Sequence, residues 1–334
     1  MKKFLSLTAM GAMVFLSACG TQSAPSASPT EATPAEKTVK IGITQIVEHP
    51  SLDETREGFL AALKDAGYEE GKNLKVDVQI AQGDMNNNIT IAQKFVSDQT
   101  DLILAISTPS AQAVAKATQD IPVVFAAITD PLGAKLVSQV DKPGANVTGM
   151  SDTHPEGVKN TIKAIKEFFP EAKKVGIIYN NGEQNAVYNV EQAKKAIAEL
   201  GLEAVEATAT KSSEVQQAAE SLVGRVDALA YFKDNTVASA LESVIQVANQ
   251  NKLPFFAGDG DSVERGVFAG SGVEEFENGY QAGQKAVEIL KGKNPGDIPV
   301  GFPEKTQLYI NLKAAKDAGI QVTDEMKKDA VIIE

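Results

Sequence analysis

The chain has 334 residues and a formal net charge of -12, from 44 acidic and 32 basic side chains. An acidic surface with no Lys/Arg cluster interleaved with aromatics argues against nucleic-acid binding. One cysteine cannot close an intrachain disulfide, two histidines with it are too few for a zinc site of the usual kinds, and neither His49 nor His154 lies in a recognisable cysteine-enzyme motif.

The first residues read as a leader. Met1-Lys2-Lys3 is a basic start, and Phe4 to Leu16 is an apolar run. A membrane-spanning helix needs roughly 20 apolar residues. This run is shorter, which predicts a secretory signal over residues 1–18. Its end, Leu16-Ser17-Ala18-Cys19, resembles the lipobox of bacterial lipoproteins, which implies acylation of the Cys19 sulfur and cleavage just before it. The alternative is an ordinary signal, which leaves the place of the sole cysteine to chance. Residues 19–37 then form a lipid-bearing cysteine and a Ser, Thr, Ala and Pro-rich tether, with an average span of roughly 25 Å.

From Val39 the pattern changes. "VKIGITQIV" reads as a strand, and Ser51-Leu52-Asp53-Glu54 as a capping box with Ser51 as N-cap. Leu52, Phe59, Leu63 and Ala66 follow at helical spacing up to Gly67. "LKVDVQIA", "DLILAI" and "IPVVFAA" read as strands, separated by helices over 89–97 and 109–118. The rhythm restarts after residue 151. Helices over 162–169, 186–200, 215–223 and 236–249 alternate with the strands "KKVGIIYN", "LEAVEATA", "VDALAYF" and "LPFFAG". The tail adds "GVFAGSGV", a helix over 279–290, "KTQLYINL" and a last helix. Alternation of this kind predicts parallel sheets with right-handed crossovers, in two doubly wound α/β halves. Such sheets bind ligands beyond the carboxyl ends of their strands.

Several segments at strand ends carry polar groups. In "ISTPSAQAVAKAT", Pro109 suits N1 of a helix with Thr108 as N-cap. That start presents free N–H groups to an anion, or is simply a cap. Asp130, before Pro131, marks a turn; its carboxylate faces a cleft or caps the next segment, and on local features capping is the better account. Ser151 and Asp152 fall where the halves meet, as a hinge or a turn. Asn and acidic residues in "IIYNNGEQNAVYN" and "YFKDNTVASA" either cap helices or bind polar ligand groups. Asp259 and Asp261 begin like a calcium loop but lack its later ligands. No phosphate loop, HExxH or G-x-S-x-G is present, so the chain offers a cleft without visible catalytic machinery and without a cofactor motif.

Taken in order, "STPSAQA", "TDPLGAKLV", "KPGANVTGMSD", "VGIIYNNGEQNA", "KDNTV" and "INLKAAKDAGI" resemble the substrate-binding lipoproteins of ABC importers, in the subfamily linked to uptake of tryptophan, tyrosine and phenylalanine. The resemblance covers almost all of residues 38–334. It implies a type I periplasmic-binding-protein fold: two Rossmann-like lobes, 38–151 with 265–298 and 152–264 with 299–334, joined by three crossing segments. It implies a ligand site of Gln45, Ser107, Thr108, Ser110, Thr129, Asp130, Ser151, Asp152, Tyr179, Asn181, Glu183, Asn185, Asp234, Asn235 and Asp259. Ser107 and Thr108 would hold a carboxylate, and Asp234 or Asp259 an α-ammonium. Tyr179, Tyr231 and Phe232 are candidate apolar walls, with core packing an equal account of Phe232. The chain departs from the pattern at Lys233, where members often have proline. The expectation is a monomeric, membrane-tethered, extracytoplasmic protein that binds a small solute, an amino acid, and delivers it to an ABC permease and ATPase. A ligand-sensing module for a receptor shares every one of these features, and an α/β enzyme is the third reading.

Overall fold

The computed structural model describes residues 38–334. The expected leader, Cys19 and the tether lie outside the described residues. In chain order the elements are β1 (Val39–Gln45), α1 (Pro50–Asp65), β2 (Leu74–Ile80), α2 (Met85–Ser97), β3 (Leu102–Ile106), α3 (Thr108–Ala117), β4 (Val123–Ile128), β5 (Val147–Ser151), α4 (Gly157–Phe168), β6 (Lys174–Tyr179), α5 (Gln184–Glu199) and β7 (Glu203–Thr208). There follow α6 (Val215–Leu222), β8 (Ala228–Tyr231), α7 (Asn235–Ala238), α8 (Leu241–Asn251), β9 (Phe255–Ala257), α9 (Gly260–Glu264), β10 (Ala269–Gly272), α10 (Glu275–Leu290), β11 (Gln307–Asn311), α11 (Leu312–Asp317), α12 (Asp324–Lys327) and β12 (Ala330–Ile333).

Two sheets result. The first has the order β2-β1-β3-β4-β5 and is parallel throughout. The second has the order β12-β11-β10-β9-β8-β6-β7, and only its β10–β11 pair is antiparallel. Strands buried on both faces read as unbroken apolar runs, which is why "LILAI" and "VVFAAI" sit at the centre of the first sheet with every residue buried. Each sheet carries helices on both faces, so the chain is two doubly wound α/β halves. It passes between them three times: after β5, after β10, and between α10 and β11.

Four local readings are corrected. Pro50 takes the first helical position, so α1 is capped by His49 and Ser51 lies inside it. The same shift makes Ser107 the N-cap of α3, with Thr108 in its first turn. The helix expected over 236–249 is two, α7 and α8, separated at Ser239–Ala240. Residues 265–272, assigned by expectation to the first lobe, carry β10, which pairs with β9 and β11 in the second sheet. The return therefore begins after Gly272. At the other end, Gly301 still donates to Gly149 beside β5. The strands β5 and β12 were not expected.

The return helix α10 packs against α1 at very close range. A Cβ on Gly279 would stand 1.9 Å from the Thr55 carbonyl oxygen, and one on Gly58 2.0 Å from that of Phe276. Only glycine permits this approach. It brings the start of α10, from the second crossing, beside the start of α1, from the first half.

Candidate functional site

Between the two sheets lies a cavity of about 430 Å3, its mouth included. The first half supplies His49, Ser51 and Leu52 from the start of α1, and Ala127 and Thr129 from the end of β4. The second supplies Asn185, Tyr231, Lys233, Asp234, Asn235, Ala238 and Asp259. Asp152 and Glu275 enter from the crossing segments. All lie at or beyond carboxyl ends of strands or at helix starts, as doubly wound sheets dictate.

Of the expected site residues, the fold brings Thr129, Asp152, Asn185, Asp234, Asn235 and Asp259 to this cavity. Others do structural work beside it. Gln45 ties β1 to α1: its Nε2 donates to the Val47 carbonyl and to Asp53, and its Oε1 accepts from Arg56. Glu183 is a hub that accepts from Asn185, Asn235 and Thr236. The Ser110 hydroxyl donates to Asn88, Ser151 to the Thr129 carbonyl, and Asp130 closes a turn by accepting from Gly133 N. Tyr179 is not brought to the cavity; its hydroxyl donates to Glu206 at 2.8 Å. Asn181 is exposed. Phe232 turns into the second core, while Tyr231 lines the cavity and donates to Asp259 at 3.1 Å.

Ser107 and Thr108 are a special case. They are not among the lining residues, yet β3 lies between β1 and β4, so their turn sits between the two stretches that form the first wall. Both are buried, and Ser107 Oγ and Thr108 Oγ1 have no hydrogen-bond partner. Ser107 has φ 78° and ψ 153°, a region that is essentially glycine's and costs about 1–3 kcal/mol for other residues. Backbone strain and unpaired buried polar atoms are features that cluster at functional sites.

Sequence reasoning missed His49, Ser51, Leu52, Ala127, Ala238 and Glu275. His49-Pro50-Ser51 follows a strand as the other polar segments do, which was a usable signal. Glu275 has none: it is one acid among many in "VEEFENG".

The charge is uneven. Four carboxyl groups, Asp152, Asp234, Asp259 and Glu275, meet one cation. Lys233 has φ 45°, and its Nζ lies 3.2 Å from Asp152 Oδ2, 2.7 Å from Glu275 Oε1 and 3.0 Å from the Asp152 carbonyl oxygen. Burial pulls its pKa down, but Asp152 and Glu275 outweigh burial, so the ammonium stays charged. Burial raises Glu275 to about 8, against the pull of Lys233 and with a push from Asp152. Burial holds Asp234 well above the ordinary carboxyl range, Glu183 adding to it. Burial also lowers His49 to about 4, with Asp259 opposing. Three cavity atoms have no partner: His49 Nδ1, Asn185 Oδ1 and Glu275 Oε2. Among the described residues no acidic, Cys or His cluster is arranged to hold a metal, and no helix is long and apolar enough to cross a membrane.

A model of ABC transporter substrate-binding proteins matches residues 40–333. The chain belongs to that family. It is thus a solute-binding protein and not an enzyme. A tyrosine-binding protein of Clostridioides difficile is 44% identical over 323 residues, covering 96% of this chain and 93% of the relative. A solved domain from Streptococcus pneumonia, in complex with L-Trp, is 34% identical with a TM-score of 0.85, covering 89% of this chain and all of that one. The ligand-free, open structure of a substrate-binding protein from Clostridium difficile is 41% identical, covering 89% of this chain and 99% of that one, yet its TM-score is 0.66. The present backbone superposes better on the L-Trp complex than on the ligand-free, open structure.

Proposed function

We propose that this solute-binding protein captures an amino acid with an aromatic side chain in the cavity between its halves, and hands it to an ABC permease and ATPase. The halves act as two lobes that close on the ligand, because only the closed form lets both touch it. The observation that carries this is the set of unpaired atoms. Ser107 Oγ and Thr108 Oγ1, with the free N–H groups of α3, suit a carboxylate; Glu275 Oε2, among four carboxyl groups and one committed cation, suits an ammonium. A zwitterion matches both. The tyrosine and tryptophan named for the relatives supply the aromatic part of the reading. Within it, Asp152, Asp234, Asn235 and Asp259 frame the ligand on the second side, and Thr129 on the first.

The same reading places the protein outside the cytoplasmic membrane as a monomer, tethered through lipid on Cys19. The experiment is calorimetry against a panel of amino acids, after unfolding and refolding to strip carried-over ligand. Micromolar or tighter binding of an aromatic amino acid is expected; a panel with no binder would end the proposal. Mass spectrometry of the mature N-terminus tests the anchor separately, through the acyl mass on Cys19.

A further inference from the structure

Asn185 opens α5 at the wall of the cavity and is 3% exposed. Both hydrogens of its amide are committed. Nδ2 donates to the Lys233 carbonyl oxygen at 2.9 Å and to Glu183 Oε2 at 3.2 Å. Glu183 is itself pinned, accepting from the Thr236 N–H at 3.1 Å and its hydroxyl at 2.9 Å. Turning the amide over would set its oxygen against two acceptors, so only one orientation is stable. In that orientation Oδ1 is a buried acceptor with nothing to accept.

Three unpaired polar atoms serve the cavity, and they are not equivalent. His49 comes from the first wall, at the start of α1 and beside the α3 turn. Glu275 carries the acidic group that suits an ammonium. Asn185 is neutral, rigid and on the opposite wall. A neutral acceptor that cannot turn pairs best with a neutral donor, and a ligand without one leaves it buried and unpaired.

We infer that Asn185 is a specificity-determining residue: its Oδ1 accepts a hydrogen bond from an N–H or O–H on the ligand's side chain, so the site selects amino acids with a ring donor over those of like shape without one. This rests on the amino-acid reading above. The phenol of tyrosine and the indole of tryptophan both offer such a donor; the ring of phenylalanine offers none. An acceptor left unpaired on burial costs roughly tenfold to a hundredfold in affinity.

The test is titration calorimetry of the full-length protein, stripped of ligand, with tyrosine, tryptophan, phenylalanine and 4-fluorophenylalanine. The last has nearly the shape of tyrosine and no donor. Phenylalanine and its fluoro derivative are expected to bind at least about tenfold more weakly than the better of tyrosine and tryptophan. In Asn185→Leu that gap should narrow to within about threefold, through loss of the donor ligands. Phenylalanine within about threefold of the best ligand on the unaltered protein would overturn the inference, whether or not the variant folds. So would an Asn185→Leu protein that loses all four ligands equally, because the amide would then hold a group common to them. Failure of every amino acid to bind would instead remove the reading of the site, and this inference with it.

Discussion

On the second wall of the cavity each acid already has partners within the fold. Asp234 caps α7 through Val237 N at 2.8 Å, and Asp259 caps α9 through Ser262 N at 2.7 Å while accepting from Tyr231. Glu183 binds three neighbours behind them. On the first side Ser107 and Thr108 are as deeply buried, but their hydroxyls bond to nothing. On the second wall the acids are satisfied within the fold and Asn185 Oδ1 is left unpaired, whereas at the α3 turn both hydroxyls are. The same residue types, small polar groups at helix starts, thus cap helices on one side and stay unpaired on the other.

The largest break in this picture should come from Lys233→Met. Lys233 is the only cation among the lining residues and joins the second wall to the first two crossing segments through Asp152 and Glu275. Removing one partner of a buried ion pair costs about 3–5 kcal/mol. The Glu275 carboxyl, raised by burial to about 8, already holds its proton over much of the neutral range, which keeps the loss toward the lower figure. A denaturant midpoint that did not move would show that the clasp adds nothing to the fold.

A sharper contrast is between Asp234→Ala and the pair Ser107→Gly and Thr108→Val. Losing the Asp234 cap should cost about 1–2 kcal/mol of ligand-free stability, together with affinity. Glycine at 107 relieves a strained φ, and valine at 108 replaces an unpaired hydroxyl with a group of like shape. Both should leave ligand-free stability unchanged or higher, while affinity falls about tenfold. If Thr108→Val destabilised the empty protein as much as Asp234→Ala, its hydroxyl would belong to the fold and the two sides would not differ.

How much of this the sequence could carry follows from the range of the interactions. Strand and helix alternation is local, and it gave two doubly wound halves correctly. The α3 turn was also visible as "STP", although Pro109 shifted its cap by one residue. The pairing of β10 with β11 depends on partners more than 30 residues apart in sequence, at Ala269 and Ile310. Nothing near "GVFAGSGV" announces it. Glu275 reaches the cavity only because Gly58 and Gly279 let α10 lie against α1, a contact spanning more than 200 residues. Tyr179 failed for the opposite reason. Its place at a strand end was legible, but the neighbouring strand offered Glu206, and the hydroxyl went there.

The smallest effect at any one pH is a change of slope, and it again sets the two sides against each other. His49, on the first wall, is lowered to about 4 by burial, while an unfolded histidine titrates near 6.5. Between those values the unfolded chain holds a proton that the folded one lacks, so this group makes stability fall as the pH falls. Burial raises Glu275 to about 8 and, with the push of Asp259, Asp261 to about 7. Their unfolded carboxyls titrate near 4, so here the folded chain holds the extra protons and stability falls as the pH rises. Two acids outweigh one histidine. For these groups stability should decline from about pH 5 to about pH 8, most steeply between 6.5 and 7, and less steeply below 6.5 where His49 opposes. His49→Asn should steepen the limb below pH 6.5 and leave the limb above 7 unchanged; Glu275→Gln should flatten the decline up to pH 8. Denaturation curves at half-unit intervals would read both. Parallel profiles for the unaltered protein and His49→Asn would mean that this imidazole is not held neutral in the cavity.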